Sequence, residues 1–537
     1  MPSKGCEPIE GWNSDSLNLS IPRESIWYTR VQSNLYNPSL NTLLDDFIGK
    51  MILRIDKKSL YYWCFINFSV VSSFSMIFLF KYFISIGIFV LVLVSCSVQD
   101  NTINNQNIPE SYSGTLVSLS WTSSKWDQHM VSSWTNTIPN KKKIETEVSQ
   151  YNINRIDPNP ILINDIQYNK VFLMSKSGEV LHDWPMGEKK LWNDAYLLPD
   201  GSLLTSLRAK NNFIMLGGQG GILELLDATW SVLWNYTISE KDMIAHHDLE
   251  ILPNGNILAL VWDRLEAERA KAIGYKLNID IFLERIIEIN PKNNTIVWEW
   301  KSWDHLIQDI SSKFPNYGNV TKSQEKIDIN YSQSASGMVM HANGISYDPI
   351  RKLIYVSVYN FSEVWVIDHS TTTLEAATNT GGKYKKGWDV VYRFGNPSAY
   401  KGKGERLFYS AHYPNLIGSG KILIFSNGNG ASTKESTAYE LKLPEELEKG
   451  QSTQKLPEVT WSYTNPELFF DKVGWVEKLP NGNILIAEGD GTLWEVTREK
   501  ELVWKYTQKP GFFWRAYSYA YDSDALKSLW ITPKSQR

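Results

Sequence analysis

The chain has 537 residues, 54 Lys and Arg against 58 Asp and Glu, and a formal net charge of −4, so no basic surplus argues for a nucleic-acid partner. Its three cysteines, Cys6, Cys64 and Cys96, all precede residue 97, which leaves the rest of the chain without a disulfide framework or a thiolate metal site. With 22 Trp, 27 Tyr and 33 Gly the composition favours strands joined by tight turns.

Residues 1–75 show no sustained hydrophobic period. After Lys81 an apolar stretch of about 14 residues begins at Tyr82, the length of a signal-peptide core and short of the ~20 that a membrane span needs. Leu93-Val94-Ser95-Cys96 resembles a bacterial lipobox, whose cysteine is lipidated after cleavage; an uncleaved anchor over 76–95 is the other reading. Both predict an exported chain, periplasmic or at the cell surface, tethered to a membrane through Cys96 or the 76–95 segment. Residues 1–75 then read as an upstream extension of the reading frame, with Met51 or Met76 as the working start. Residues 76–96 form the export segment and 97–160 a polar tether, with Lys141-Lys142-Lys143 as a solvated loop.

From about residue 165 one pattern recurs within an expected 161–537 domain. Turn elements Leu198-Pro199-Asp200-Gly201, Leu252-Pro253-Asn254-Gly255 and Leu479-Pro480-Asn481-Gly482 each join two apolar runs, a strong hairpin signal because Asn, Asp and Gly tolerate positive φ. Later in each repeat comes an outer strand ending in Trp, as at Trp184, Trp234, Trp300, Trp461 and Trp504, with Tyr392-Arg393-Phe394 as a less regular sixth. The outer strand at 170–184 has no inner partner before it, and residues 512–519 are the natural source of one. The expected fold is all-β, a six-bladed β-propeller closed by strands from both ends of the globular region. Two insertions interrupt the period: 263–283, of helical composition, and 303–335, a polar excursion placed to roof a site.

Only eight histidines occur. His247 and His412 each stand eight residues before a turn glycine, Gly255 and Gly420, and His341 holds the same place before a longer turn. The register reads Asn193, His247, His341, His412 and Gly474, with Arg515 as the sixth; in a propeller these positions converge on the axis. Three imidazoles there suit nucleophilic or acid–base chemistry, a metal, or structural hydrogen bonding. Strand alternation turns His246 away from His247. Gly217-Gly218-Gln219-Gly220-Gly221 precedes a strand rather than a helix, so a tight turn or close backbone approach is expected, not a phosphate loop.

The order of landmarks is similar to that of bacterial arylsulfotransferases over about 165–520. They are His246-His247-Asp248; Trp298-Glu299-Trp300 with Trp303-Asp304-His305; His341-Ala342-Asn343-Gly344; Asn360-Phe361-Ser362-Glu363; Tyr392-Arg393-Phe394-Gly395-Asn396; and His412 before Asn427-Gly428. The resemblance implies ping-pong transfer of a sulfuryl group from an aryl sulfate to a phenol, with no cofactor and no metal. His412 would carry the group, and His247 and His341 would hold sulfate oxygens and assist proton transfer. Tyr359, Asn360, Asn343 and Arg515 are the expected substrate-binding residues. Two positions depart from the family pattern. Tyr359 stands where a basic residue is usual, and Ala411 and Tyr413 flank His412 in place of Gln and Asp; Arg515 and Arg264 are the cations offered as replacements. The alternative reading is a non-catalytic propeller that binds a ligand or protein, its axial histidines structural; metal-dependent hydrolysis ranks last. Oligomeric state is not legible.

Overall fold

The computed structural model describes residues 144–537 apart from 211–212, 386–388, 429–432, 449–454 and 534–537. The export segment, Cys96, the 1–75 extension and the tether up to 143 lie outside the described residues. Among the described residues no helix is long and apolar enough to cross a membrane.

Six antiparallel sheets are arranged as the blades of a propeller. Blade 2 runs Leu191–Leu197, Leu203–Arg208, Gly221–Leu226, Val232–Thr237 from the inside outward, and blade 3 runs Met243–Ile251, Ile257–Leu265, Ile281–Asn290, Thr295–Lys301. Blade 4 is Ala342–Asp348, Leu353–Val358, Glu363–Asp368, Tyr392–Phe394, and blade 5 is Ala411–Leu416, Lys421–Ser426, Thr437–Lys442, Glu458–Thr464. Blade 1 is composite: the C-terminal strand Phe513–Ser518 pairs antiparallel with Ile161–Asp165, followed outward by Lys170–Met174 and Val180–Pro185. This is the closure expected from the orphan outer strand.

Blade 6 (Trp475–Lys478, Ile484–Ala487, Thr492–Val496, Leu502–Lys509) carries a fifth strand, Glu145–Tyr151, on its outer edge. The tether boundary at 160 is therefore corrected: residues 145–151 belong to the sheet. Their sequence, Glu-Thr-Glu-Val-Ser-Gln-Tyr, lacks an apolar face because only Val148 is half-buried, which is why they read as linker.

Second strands are buried on both faces between neighbouring blades, so Leu353–Val358 and Lys421–Ser426 are near-continuous apolar runs. Each pair of adjacent blades shares an apolar cluster; between blades 5 and 6, for example, Leu423, Phe425 and Trp461 pack with Val476, Ile484 and Trp494. The recurring outer tryptophans latch one blade to the next. Trp234 Nε1 donates to Asn294 Oδ1 (2.7 Å), Trp461 Nε1 to the Arg498 carbonyl (2.9 Å) and Trp504 Nε1 to the Lys176 carbonyl (2.7 Å). The insertions hold a short helix, Ala267–Ala272, and a parallel pair, Leu306–Ile307 with Ile327–Asp328, which leads through Met338 to His341.

Candidate catalytic site

The inner strands begin irregularly, and the irregularity makes the site. Register shifts interrupt the pairing at 246–248 in blade 3, at Asn343 in blade 4, at 413–414 in blade 5 and at 514–515 in blade 1. His247 (φ +49°), His341 (φ +59°) and Tyr413 (φ +44°) adopt the left-handed region, which costs non-glycine residues on the order of 1–3 kcal/mol each and concentrates at functional sites. Bulged and left-handed, the chain abandons strict alternation. His246 therefore does not turn away from His247: their Nδ1 atoms lie 2.9 Å apart.

His247 and His341 meet through their Nε2 atoms at 2.9 Å, with ring centroids 4.7 Å apart. The Tyr359 ring stands between His341 and His412, at 5.0 and 5.5 Å. Gly218 presses against His247 from blade 2; a Cβ there would lie 2.0 Å from the imidazole, and its carbonyl accepts from the His247 amide (2.8 Å). The glycine-rich stretch is the close backbone approach that its sequence suggested. Trp262 and Trp514 close the other sides of His247.

His412 is held by Asn427. The Asn427 Nδ2 group donates to the carbonyls of Phe470 (2.7 Å) and Val473 (2.8 Å), so Oδ1 faces His412 Nδ1 as an acceptor at 2.6 Å. Nδ1 of His412 must then carry the proton, and Nε2 keeps its lone pair. Burial holds His412 down to about 4, with the Asn427 hydrogen bond acting against it and the Arg515 charge adding to it. Burial, reinforced by His412 and His246, holds His341 at about 3 although part of its surface is open. Burial and its imidazole neighbours push His247 well below the ordinary range. All three are neutral at pH 7.

Beneath the histidines Arg515 is buried between two carboxylates, 3.0 Å from Asp248 and 3.4 Å from Asp194, and over the Tyr413 ring at 4.1 Å. Two carboxylates sharing one guanidinium in a buried site leave one of them protonated; burial pushes both upward. Among the described residues no set of three or more His, Cys, Asp or Glu side chains has metal-holding geometry.

The sequence profile of the arylsulfotransferase (ASST) family matches residues 145–510. The chain belongs to the arylsulfotransferase family. No curated protein matches it significantly. Among solved structures, a Bacteroides caccae protein of unknown function is similar at 13% identity, covering 67% of this chain and 99% of its own, with a TM-score of 0.39. A functionally unknown protein from Desulfotomaculum acetoxidans DSM 771 matches at 11% identity, 64% and 94% coverage and a TM-score of 0.33. Likenesses this distant carry no argument.

Family membership supports a sulfotransferase-type enzyme with small aryl sulfates and phenols as substrates. Within this family member the structure brings His247 and His341 together and sets His412 across the Tyr359 ring. The other expected substrate-binding groups are engaged with protein. Tyr359 Oη donates to the Asp471 carbonyl (3.0 Å), Asn360 Nδ2 to the Met338 carbonyl (2.6 Å) and Asn343 Nδ2 to the Ala411 carbonyl (3.0 Å), while Arg515 is neutralised as described. Arg264 pairs with Asp280 (2.9 Å from Nε). Of the remaining histidines, His305 contacts Asp389 (3.0 Å) and stacks on Trp300, and His369 bridges blades by its contact with Glu288 (2.9 Å). Sequence reasoning missed the partners behind the histidines: Asn427, seen only as a strand end, and Glu284 and Trp262, which look like ordinary strand residues.

Proposed function

We propose that this chain is a ping-pong arylsulfotransferase in which His412 Nε2 carries the sulfuryl group. The single observation behind this is the Asn427–His412 arrangement, which fixes a neutral tautomer with its lone pair on Nε2. In the first half-reaction Nε2 attacks sulfur, the S–O bond to the aryl group breaks, and its electron pair leaves on the phenolate. In the second, a phenol oxygen attacks sulfur, the N–S electron pair returns to Nε2 and the phenolic proton passes to the His247–His341 pair. The purified protein is incubated with a chromogenic aryl sulfate and excess phenol; acceptor-dependent phenolate release and a sulfated His412 peptide by mass spectrometry are expected, both absent in His412→Ala.

The arrangement of Arg515, Tyr359 and the two asparagines favours a second reading, a propeller that binds a ligand without turnover, because each is already committed within the protein. Release of no phenolate and formation of no adduct, from protein shown to be folded, selects that reading. We also propose that the enzyme works outside the cytoplasm, tethered through Cys96, on the strength of Leu93-Val94-Ser95-Cys96. Membrane extraction followed by mass spectrometry of the mature N-terminus tests this: a lipidated Cys96 is expected, and an intact chain upstream of Cys96 overturns it.

A further inference from the structure

We infer that Glu284 is a positioning residue that, through His246, sets the proton direction of the histidine pair, making His247 Nε2 the base that draws the acceptor phenol's proton through His341, whose Nε2–H is the donor to it. The inference rests on the arylsulfotransferase reading above.

Glu284 lies on the third strand of blade 3, opposite Trp262 on the second, and is buried. Its Oε1 accepts from Trp262 Nε1 (3.1 Å) and from the amide of Ala342 (2.9 Å), the residue after His341, so the carboxylate is clamped to two blades. Its Oε2 lies 2.9 Å from His246 Nε2, and although the two are out of line for a full hydrogen bond, neither has any other partner among the described residues. The His246 ring lies flat on Trp262, centroids 3.9 Å apart and planes within 9°, which fixes its plane.

A carboxylate oxygen facing an imidazole nitrogen places the proton on that nitrogen. With the proton on His246 Nε2, His246 Nδ1 is the acceptor, and the facing His247 Nδ1 must donate across 2.9 Å. His247 Nε2 is then bare and accepts from His341 Nε2–H across 2.9 Å. The polarity of the whole chain follows from Glu284. Of the other charged or titratable groups, His412 from blade 5 and Arg515 from blade 1 act on His247 through space, and blade 2 presents it with Gly218 and the backbone of Gln219 beside His246.

In the second half-reaction the phenol oxygen bonds to sulfur, the N–S bond breaks with its pair returning to His412 Nε2, and the phenolic proton moves to His341 Nδ1, the bare nitrogen of that tautomer, as the His341 Nε2 proton passes across the 2.9 Å contact to His247 Nε2. The imidazolium so formed keeps its Nδ1–H on His246, and Glu284 supplies the compensating charge one ring away.

The test compares wild type and Glu284→Gln with phenol acceptors of graded acidity at pH 7, following transfer by chromatography. Proton removal by a positioned base contributes roughly 10²–10⁴-fold. Weakly acidic phenols should therefore lose at least about 100-fold in Glu284→Gln, whereas an acceptor already ionised at pH 7, and the burst of donor phenolate, should change less than about threefold. His246→Gln breaks the chain from its other side and should show the same selectivity. A uniform loss across acceptors, or none, overturns the inference. No transfer by wild type overturns the arylsulfotransferase reading instead. ¹⁵N spectra of the histidine-labelled wild type need no variant: a protonated Nε2 with bare Nδ1 on His246 is expected, and the opposite tautomer sinks the idea even if both variants misfold.

Discussion

At the scale of single residues, the site depends on where one proton sits on each ring. Asn427 fixes that proton for His412, because both hydrogens of its amide are spent on the carbonyls of Phe470 and Val473. In Asn427→Leu the ring loses its acceptor, either tautomer becomes accessible, and a nucleophile in the wrong tautomer is inert. The donor half-reaction is expected to slow on the order of 100-fold, measured as the burst of phenolate from a chromogenic donor. The same reasoning gives a pH profile. With burial holding His412 down to about 4, the proposed nucleophile stays unprotonated from pH 7 to pH 5. The donor burst should stay level over that interval and fall only as pH approaches 4; a fall centred near the ordinary histidine value of about 6.5 would contradict the neutral, desolvated ring.

At the scale of elements, the bulged starts of the inner strands decide what faces the axis, and they also mark the limit of what the sequence could reveal. The blades were legible because turn chemistry and buried apolar runs are local. The register of His247 and His412 was legible because a turn glycine lies eight residues downstream of each, and that of His341 because the same layout recurs before a longer turn. His246 was misread because the period-two rule fails where three residues, 246–248, oppose a single one on the neighbouring strand. Glu284, Trp262 and Asn427 come from other strands and from other parts of the sequence, so no spacing announces them. Gly218 shows how an element serves the site without entering the chemistry. It holds φ at +84°, a conformation that L side chains rarely adopt, and an added Cβ would overlap the His247 ring, which His341, Trp262 and Trp514 enclose on its other sides. Gly218→Ala should therefore displace the imidazole and cut turnover by about 100-fold, since misplacement near 1 Å costs that much. The strained φ and the overlap should lower the melting temperature as well, and calorimetry beside the turnover assay separates the loss of turnover from unfolding.

At the scale of the whole molecule, the two ends of the described chain add strands to the ring in different ways. Phe513–Ser518 is the inner strand of blade 1: Phe513 and Ala516 pack in the cluster shared with blade 6, and Arg515 lies between Asp194 and Asp248 under the histidines, balancing the single negative charge that the pair carries. Ending the chain at residue 510 leaves the edge of Ile161–Asp165 unpaired and the buried Asp194–Asp248 pair without its cation, and removing one partner of a buried ion pair alone costs about 3–5 kcal/mol. Glu145–Tyr151 instead lies outside a blade that already has four strands, with Val148 alone half-buried. Removing residues up to 151 deletes hydrogen bonds but little apolar area, and leaves every blade with its inner strand. The C-terminal truncation should accordingly abolish cooperative thermal unfolding and open the chain to limited proteolysis, while the N-terminal truncation should unfold cooperatively within a few degrees of the full chain and keep turnover. If both truncations behaved alike, closure would depend on strand number rather than on the inner ring, and the role given to Phe513–Ser518 would fall with it.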